Sequence, residues 1–210
     1  MTAPDDTLDC LIVGAGPGGL TAATYLVRYH RRILVVDAGK SRARWIPTSH
    51  NCPGFPRGVA GTTLLAQQRE QAEGYGATIE DGCIAQLRRD GDAFEAIAAD
   101  GRRWRARYVI LATGIVDVMP PLDGLEDGIA AGAVRLCPVC DGYEASDCRV
   151  AVYGPVETTV GHALFLRTFS DDVTVLASEA SRASDAAQAS DASSDGPLAQ
   201  ARRAGIALEP

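Results

Sequence analysis

Residues 9–20 read DCLIVGAGPGGL, an apolar run that leads directly into four glycines within six residues. Apolar residues at helical spacing follow in TAATYLVRYHRR, and ILVVD at 33–37 is a second short apolar run. The order strand, glycine-rich turn, helix and strand is that of a βαβ unit. This stretch therefore predicts an α/β fold with a parallel sheet near the start of the chain.

The glycines of this turn have the spacing of a dinucleotide-binding motif. Gly14, Gly16 and Gly19 fit G-x-G-x-x-G, in which they allow a tight turn, a close approach of pyrophosphate and close helix packing. The helix N-terminus then offers N–H groups to the phosphates. Asp37 ends the second strand, where a carboxylate can bind a ribose hydroxyl. Together these features predict a dinucleotide site, and a glycine-rich turn in an unrelated α/β protein is the structural alternative.

The segments after this unit predict the rest of a first domain. Residues 41–60 are rich in proline and glycine and are typical of a loop, whereas 62–77 read as an amphipathic helix. Three alternating segments follow, separated by Asp-Gly turn signals, and they predict an antiparallel meander. These segments are residues 83–89, 93–99 and 102–113.

A proline-rich segment, IVDVMPPLDGL at 115–125, predicts a domain boundary and a hinge. We therefore expect one domain over residues 1–117 and another over 118–210. In the second domain, strand patterns at 148–154 and 172–177 flank a helical pattern, which predicts a second βαβ unit.

The end of the chain is unlike the rest. Residues 178–197 are of low complexity, rich in Ser, Ala and Asp, and predict a flexible loop or linker. Residues 198–210 read as a helix and the first residues of a strand, which suggests a fragment or a truncated product. The fold class we predict is α/β with two Rossmann-like domains, the second incomplete.

Composition excludes several classes of partner. The formal net charge is −7, so no basic field is present to neutralise nucleic-acid phosphates. The polar N-terminus lacks the features of a signal peptide, and the apolar runs are far too short to span a bilayer. We therefore expect a cytoplasmic protein, in which most of the six cysteines are free thiols.

The segment CPVCDGYE at 137–144 carries a C-x-x-C pair. Zinc requires four ligands, and no second pair exists, while Cys148 and His162 follow at no usual ligand spacing. A static crosslink does not suit a reducing compartment, so a redox dithiol is favoured and no metal site is predicted. Pro138 suits a first helical position, and a helix beginning there would lower the pKa of the first thiol. The isolated cysteines are read as small buried hydrophobes: Cys10, Cys52 and Cys83.

The order of these features resembles the low-molecular-weight thioredoxin reductases, which are flavoproteins with two dinucleotide domains. The resemblance covers about residues 8–177, and a C-x-x-C-Asp-Gly before a second nucleotide-type strand is its most specific part. It implies FAD at the first motif, with the N-x-P-G loop and the Ala-Thr-Gly segment around it. By position, the implied FAD residues are Gly14, Gly16, Pro17, Gly19, Asp37, Asn51, Ala112, Thr113 and Gly114.

The resemblance also implies a catalytic cycle. Electrons pass from a nicotinamide to FAD and then to the Cys137/Cys140 dithiol. Cys137 attacks the substrate disulfide, Cys140 faces the flavin, and Asp141 protonates the departing thiolate. The implied partner is a thioredoxin-like protein or a small disulfide or dithiol, and the family suggests a homodimer.

Two departures from the family pattern bear on the cofactors. Family chains continue beyond this length and return to the FAD domain with a flavin-binding segment. The second nucleotide motif keeps Gly154, but Pro155 lacks an N–H and Val156 stands where pyrophosphate approaches. We also expect Thr159 to replace a small helix-packing residue. Glu179 favours a free ribose 2′-hydroxyl, so we expect weak nicotinamide binding, with NADH favoured over NADPH.

A weak nicotinamide site leaves other functions open. The chain could be an FAD-dependent dithiol oxidase that acts on a small-molecule dithiol with O2, or it could accept electrons from a ferredoxin-type donor. A non-catalytic fragment, or a subunit completed by another polypeptide, is the alternative of a different class.

Overall fold

The computed structural model describes residues 7–178 and 196–209. Contacts between Cα atoms divide the chain into two compact units, and the division falls between Asp117 and Val118. Each unit has its own sheet and its own buried core, so the two are described separately.

The first unit is built on a six-stranded sheet in the order β3-β2-β1-β6-β5-β4. Its strands are β1 Leu8–Val13, β2 Ile33–Asp37, β3 Thr78–Asp81, β4 Ile84–Asp90, β5 Ala93–Ala98 and β6 Arg103–Leu111. Its helices are α1 Pro17–Arg28, a 3-10 turn at Arg42–Trp45, and α2 Gly61–Gly74. Strands β3, β2, β1 and β6 run parallel, while β4, β5 and β6 form the antiparallel meander.

Strand β6 connects the two parts of this sheet. Its first half pairs antiparallel with β5, from Arg103 opposite Ile97 to Ala106 opposite Phe94. Its second half pairs parallel with β1, up to Leu111 in register with Val13. The chain therefore delivers residues 112–114 to the carboxyl edge of β1, beside the glycine turn.

Successive side chains along β1 and β2 point to opposite faces of the sheet, so that two separate apolar layers form. Cys10 and Ile12 face α1 and α2, together with the buried helix residue Leu20. Leu11 and Leu34 face the opposite side of the sheet, where they pack against alanines of the meander. Strands buried on both faces read as continuous apolar runs, which is the pattern seen in LIV and ILVV.

The structure confirms the predicted first βαβ unit and meander but differs in two details. Helix α1 ends at Arg28, because His30 adopts φ 58°, a left-handed conformation that cannot continue a helix. Strand β3 was not predicted, since its sequence TIED is an edge strand without alternating apolar residues.

The second unit has a three-stranded parallel sheet in the order β7-β8-β9. Its elements are α3 Leu125–Ala130, α4 Pro138–Asp141, a 3-10 turn at Tyr143–Ala145, β7 Val150–Gly154, α5 Val156–Leu166, β8 Val173–Ala177, α6 Pro197–Arg203 and β9 Ala207–Glu209. The core lies between this sheet and helices α5 and α6, with Val160, Val175 and Ala201 almost completely buried. The predicted second βαβ unit is therefore present, and the α/β fold class is confirmed.

Some expectations are corrected or lie outside the described residues. Cys10 is buried, and burial raises the pKa of its thiol, but Cys83 is exposed and Cys52 is half-buried. The predicted loop at 178–197 falls almost entirely outside the described residues. Within residues 7–178 and 196–209, no helix is long and apolar enough to cross a membrane.

Candidate active site

The glycine turn between β1 and α1 has no room for side chains at two of its positions. Gly14 adopts φ 103°, and a Cβ there would lie 2.4 Å from the carbonyl oxygen of Ala112. A Cβ on Gly19 would lie 1.9 Å from the carbonyl oxygen of Gly14. Both values are far below contact distance, so only glycine permits this approach of helix, turn and β6.

The N-terminus of α1 is open at this turn. Gly16 is the N-cap and offers no side chain to the first-turn N–H groups, and no acidic residue lies in that turn. Pro17 occupies the first position, where a missing N–H costs nothing. The free N–H groups of this helix N-terminus and its partial positive charge fit a pyrophosphate.

Asp37 lies at the end of β2, beside the same turn. Its Oδ1 accepts a hydrogen bond from the Ala15 N–H at 2.9 Å, and its Oδ2 lies 4.0 Å from a nitrogen of Arg69 on α2. The carboxylate is therefore held at the turn, where it fits a ribose hydroxyl. The sequence did not single out Arg69, because a cation on a helix face carries no motif.

The Ala-Thr-Gly segment follows β6 and lies against the glycine turn. The Ala112 N–H donates to the Val13 carbonyl at 2.9 Å, so Ala112 continues the ladder beside β1. Thr113 and Gly114 come next in the chain. The structure thus brings Gly14 and the Ala112 segment together, although they are far apart in sequence.

Asn51 occupies the loop between the 3-10 turn and α2. Its Oδ1 accepts a hydrogen bond from Ser49 Oγ at 2.7 Å, and Ser49 forms an isolated β-bridge with Val59. These contacts hold Asn51 within its own loop, with its side chain exposed. The glycine turn, Asp37 and the Ala112 segment are therefore the parts that fit FAD most directly.

In the second unit, Cys137 and Cys140 form a disulfide, with their Cα atoms 5.3 Å apart. Cys137 is the N-cap of the short helix α4, and Pro138 takes the first helical position, as its sequence indicates. The Cys140 N–H points at the Cys137 sulfur, with nitrogen and sulfur 3.2 Å apart. A donor at this place stabilises a thiolate on Cys137 when the disulfide is reduced.

Two residues that sequence reasoning missed hold this turn. Phe169 packs against Gly142, so that a Cβ on Gly142 would lie 2.6 Å from the ring and 2.8 Å from the Pro138 carbonyl oxygen. Arg135 lies 3.6 Å from Asp141, and the two side chains are 33% and 17% exposed. No sequence signal linked Phe169 to the dithiol, because this contact depends on how α5 packs.

The second nucleotide-type turn corrects one expectation. We expected the Val156 side chain to obstruct pyrophosphate, but Val156 begins α5 with its side chain buried in the core of the second unit. Thr159 is buried too, and its methyl carbon lies 3.0 Å from where a Cβ of Gly154 would be. Glu179 lies outside the described residues.

The residues at this second turn do not fit a dinucleotide pyrophosphate well. Pro155 is the N-cap of α5 and contributes no N–H, and its ring leaves only later backbone groups to bind an anion. Glu157 places an exposed carboxylate in the first turn, where it repels phosphate. At this turn, pyrophosphate binding is disfavoured by the missing N–H of Pro155 and by the charge of Glu157, and not by the bulk of Val156.

A metal centre has no support in the described part of the chain. Among residues 7–178 and 196–209, no group of three His, Cys, Asp or Glu side chains lies close enough to bind an ion. Cys148, considered as a ligand from its position in sequence, is exposed.

Comparison with known proteins identifies the family of this chain. The family model for pyridine nucleotide-disulphide oxidoreductases matches residues 8–194. Thioredoxin reductase from Aquifex aeolicus is 33% identical over 175 residues, which cover 82% of this chain and 54% of that protein. A bifunctional thioredoxin reductase/thioredoxin from Mycobacterium leprae is 31% identical over 170 residues, which cover 80% of this chain and 37% of that protein.

Solved structures share the fold of this chain. HlmI is 30% identical, with a TM-score of 0.77 over 96% of this chain and 61% of that one. An oxidoreductase from Agrobacterium tumefaciens is 27% identical, with a TM-score of 0.72 over 97% of this chain and 65% of that one. The thioredoxin reductase of Streptococcus pyogenes, at 24% identity and a TM-score of 0.75, shares the fold. The chain spans about half the length of the Aquifex relative. With its glycine turn, its dithiol turn and these matches, the chain belongs to the pyridine nucleotide-disulphide oxidoreductase family.

Proposed function

We propose that this chain is the flavin- and dithiol-bearing part of a disulfide oxidoreductase of the thioredoxin reductase type. The observation that carries the proposal is the Cys137–Cys140 disulfide on a half-exposed turn, with a backbone N–H directed at the Cys137 sulfur. Relatives named thioredoxin reductase match over most of this chain.

In the proposed reaction, the reduced pair exchanges with a partner disulfide. The Cys137 thiolate attacks one partner sulfur, the partner S–S bond breaks, and a mixed disulfide forms. Cys140 then attacks Cys137, which releases the partner as a dithiol and restores the Cys137–Cys140 bond. Two electrons leave the pair in each cycle, and the partner thiolates take up two protons.

Asp141 is the proposed source of one of these protons. It directly follows Cys140 and its side chain is mostly buried beside Arg135. A carboxyl group at this position can give a proton to a departing thiolate and regain it from solvent.

FAD is the proposed cofactor of the first unit. Gly14, Gly16, Pro17 and Gly19 would hold its pyrophosphate, Asp37 its ribose, and Ala112, Thr113 and Gly114 would line the site beside the turn, with Asn51 in the neighbouring loop. When bound, FAD supplies the electron pair that reduces the Cys137–Cys140 disulfide.

We propose that any nicotinamide binds the second unit weakly, and that NADH is preferred to NADPH. Gly154 is retained, but Pro155 and Glu157 disfavour pyrophosphate, and Glu179 would favour a free 2′-hydroxyl. Steady-state kinetics of the complete protein with both nucleotides test this. A clear preference for NADPH contradicts it.

The poor fit at the second turn favours one further function. A dithiol oxidase would need no nicotinamide, because a small-molecule dithiol would be oxidised to its disulfide by exchange with the Cys137–Cys140 disulfide, and FAD, when bound, would supply the chemistry by which the electron pair reduces O2 to hydrogen peroxide. Oxygen consumption by the complete protein with a dithiol, in the absence of NAD(P)H, supports this function. Oxygen consumption that requires NAD(P)H contradicts it.

The proposed partner is a thioredoxin-like protein or a small disulfide, in a reducing cytoplasmic compartment and with the enzyme as a homodimer. The Mycobacterium leprae relative carries a thioredoxin in its name, which supports such a partner. Substitution of the resolving thiol offers a direct test that does not depend on bound flavin.

Reduced Cys140→Ser protein is mixed with a thioredoxin that keeps only its attacking cysteine, activated as a disulfide with a small aromatic thiol, and protein mixed disulfides are quantified by non-reducing mass spectrometry. We expect the adduct to accumulate, because Cys137 attacks and no neighbouring thiol releases the partner. The Cys137→Ser/Cys140→Ser protein measures the background from the exposed Cys83 and Cys148. An adduct no more abundant than this background overturns the proposal.

A further inference from the structure

Two segments that are far apart in sequence border the glycine turn of the first unit. A Cβ on Gly14 would lie 2.4 Å from the Ala112 carbonyl oxygen, so the chain leaving β6 borders one side of the turn. A Cβ on Gly16 would lie 3.3 Å from Ser41 Oγ, so the start of the 3-10 turn after β2 borders the other side. The turn that we assign to pyrophosphate therefore lies between these two segments.

An ion pair joins the two segments. Arg42 Nε donates to Asp117 Oδ2 at 2.5 Å, and the side chains are only 22% and 19% exposed, so the pair is partly sheltered from water. Arg42 directly follows Ser41, and Asp117 lies a few residues after Ala112. Adjacent strands are about 4.8 Å apart and extended chain covers about 3.3 Å per residue, so residues 112–117 are long enough to pass from β6 across β1 to the segment after β2. The pair thus closes a ring of chain that borders the glycine turn.

The segment between Ala112 and Asp117 is held at its two ends. Ala112 belongs to the ladder beside β1, as described above. Among the described residues, none forms a hydrogen bond with residues 113–116, and the side chains of Ile115 and Val116 are largely exposed. Asp117 is therefore the far anchor of this segment, and loss of its ion pair would leave the segment fixed at Ala112 alone.

We propose that the Arg42–Asp117 pair is a latch that holds residues 113–116 across the carboxyl edge of β1 and slows the release of FAD. This inference rests on FAD as the cofactor of the first unit. A segment fixed at both ends narrows the exit from the glycine turn, whereas a segment fixed at one end moves aside. Arg42 and Asp117 act here as positioning residues, because neither has to touch the cofactor.

The rate of FAD release tests the latch. FAD-loaded protein is diluted, and the return of free-flavin fluorescence is followed over time. We expect Arg42→Gln and Asp117→Asn each to release FAD about two- to fivefold faster. The double variant should release it no faster than either single variant, because both changes break the same interaction. Added salt should accelerate release from the unsubstituted protein more than from the variants.

Charge reversal separates the ion pair from a merely structural role of either side chain. The double variant Arg42→Asp/Asp117→Arg should recover slow release, which loss of packing does not predict. Arg44→Gln and Asp123→Asn are matched controls. Arg44 lies in the same 3-10 turn and donates to the Gly39 carbonyl, and Asp123 is an exposed carboxylate that follows the segment. Both controls should release FAD like the unsubstituted protein.

Limited proteolysis gives a second readout that needs no flavin. Elastase cleaves after small apolar residues, and cleavage within 113–116 requires this segment to leave its place and enter the protease. In the 210-residue chain, we expect Arg42→Gln to be cut there about two- to fivefold faster than the unsubstituted chain. Arg44→Gln should be cut at the unsubstituted rate.

Three results overturn the latch. The first is FAD release that neither Arg42→Gln nor Asp117→Asn accelerates, although the unsubstituted protein binds FAD. The second is faster cleavage by elastase without faster FAD release, because the segment would then not control the cofactor. The third is an unsubstituted protein that binds no FAD, which overturns the proposed cofactor as well. Binding of FAD by the unsubstituted protein therefore distinguishes failure of the latch from failure of the proposed function.

Discussion

Gly142 shows how one residue can hold a reactive turn in place. Its backbone is helical, with φ −61° and ψ −35°, so any residue could adopt its conformation. What excludes a side chain is the Phe169 ring together with the Pro138 carbonyl. The glycine therefore permits the packing of the dithiol turn against the end of α5.

Gly142→Ala should lower the free energy of unfolding by about 1–3 kcal/mol, because the added methyl group forces apart the ring and the turn. Chemical denaturation of the purified chain measures this change. Gly161→Ala is the matched control, since a Cβ there meets no atom within 4 Å and Gly161 lies inside α5. The control should be neutral or stabilising by up to about 1 kcal/mol. An equal loss of stability in both variants contradicts the packing argument.

Glu95 provides a pH-dependent contact on the meander. Hydrogen bonds from Arg88 and then from Arg103 hold the pKa of Glu95 below its usual range. A carboxyl group whose folded-state pKa is lowered stabilises the fold above its unfolded pKa. That contribution is lost as the pH falls through the folded-state pKa.

Glu95→Gln should therefore lower the melting temperature at neutral pH, and the difference from the unsubstituted chain should shrink once the pH falls below about 4.3. Thermal unfolding followed by circular dichroism across this pH range measures the effect. Glu70→Gln, at an exposed position of α2, should produce no such pH-dependent difference. A difference that persists unchanged into acid would show that the Glu95 charge is not its cause.

At the scale of elements, the first strand, turn and helix form the structure that we assign to FAD. The turn depends on contacts at Gly14 and Gly19, while Gly18 is open to solvent space. Substitutions at Gly19 and at Gly18 can therefore distinguish the effect of a steric clash in the turn from the effect of simply losing a glycine.

Gly19→Ala should weaken FAD binding by about tenfold or more, because α1 must move away from the Gly14 carbonyl and from the turn. Gly18→Ala should bind FAD like the unsubstituted protein. Quenching of flavin fluorescence on titration with each protein measures both affinities, with circular dichroism to verify that each variant is folded. The assignment fails if both variants bind FAD equally well.

At the scale of the whole molecule, each unit has a core of its own. Leu20 is almost completely buried between the first sheet and its helices, and the second core is built from other residues entirely. Loss of packing in one core should therefore leave the other intact.

Leu20→Ala should destabilise the first unit by about 2–5 kcal/mol. Hydrogen exchange should accelerate in β1, β2 and β6 and remain unchanged in β7 and β8. Leu166→Ala, in the second core, should give the opposite pattern. Equal acceleration in both units after either substitution would contradict separate cores.

Local chemistry determined the features that the sequence alone could predict. Apolar runs before and after the glycines predicted β1, α1 and β2, since periodicity and turn chemistry act within a few residues. The C-x-x-C pair predicted a dithiol because no second pair exists and Cys148 and His162 follow it at no usual metal-ligand spacing. Neither signal requires knowledge of distant contacts.

Only the tertiary structure decided which distant residues meet. It placed Ala112 against Gly14 and Phe169 against Gly142, and neither is a local contact. It also turned Val156 into the core, because α5 begins at that residue and Val156 lies on the helix face that packs into the core of the second unit. Side-chain direction depends on the phase of a helix relative to its sheet, and a shift of one residue rotates it by about 100°. That phase is set by packing, which no short sequence motif encodes.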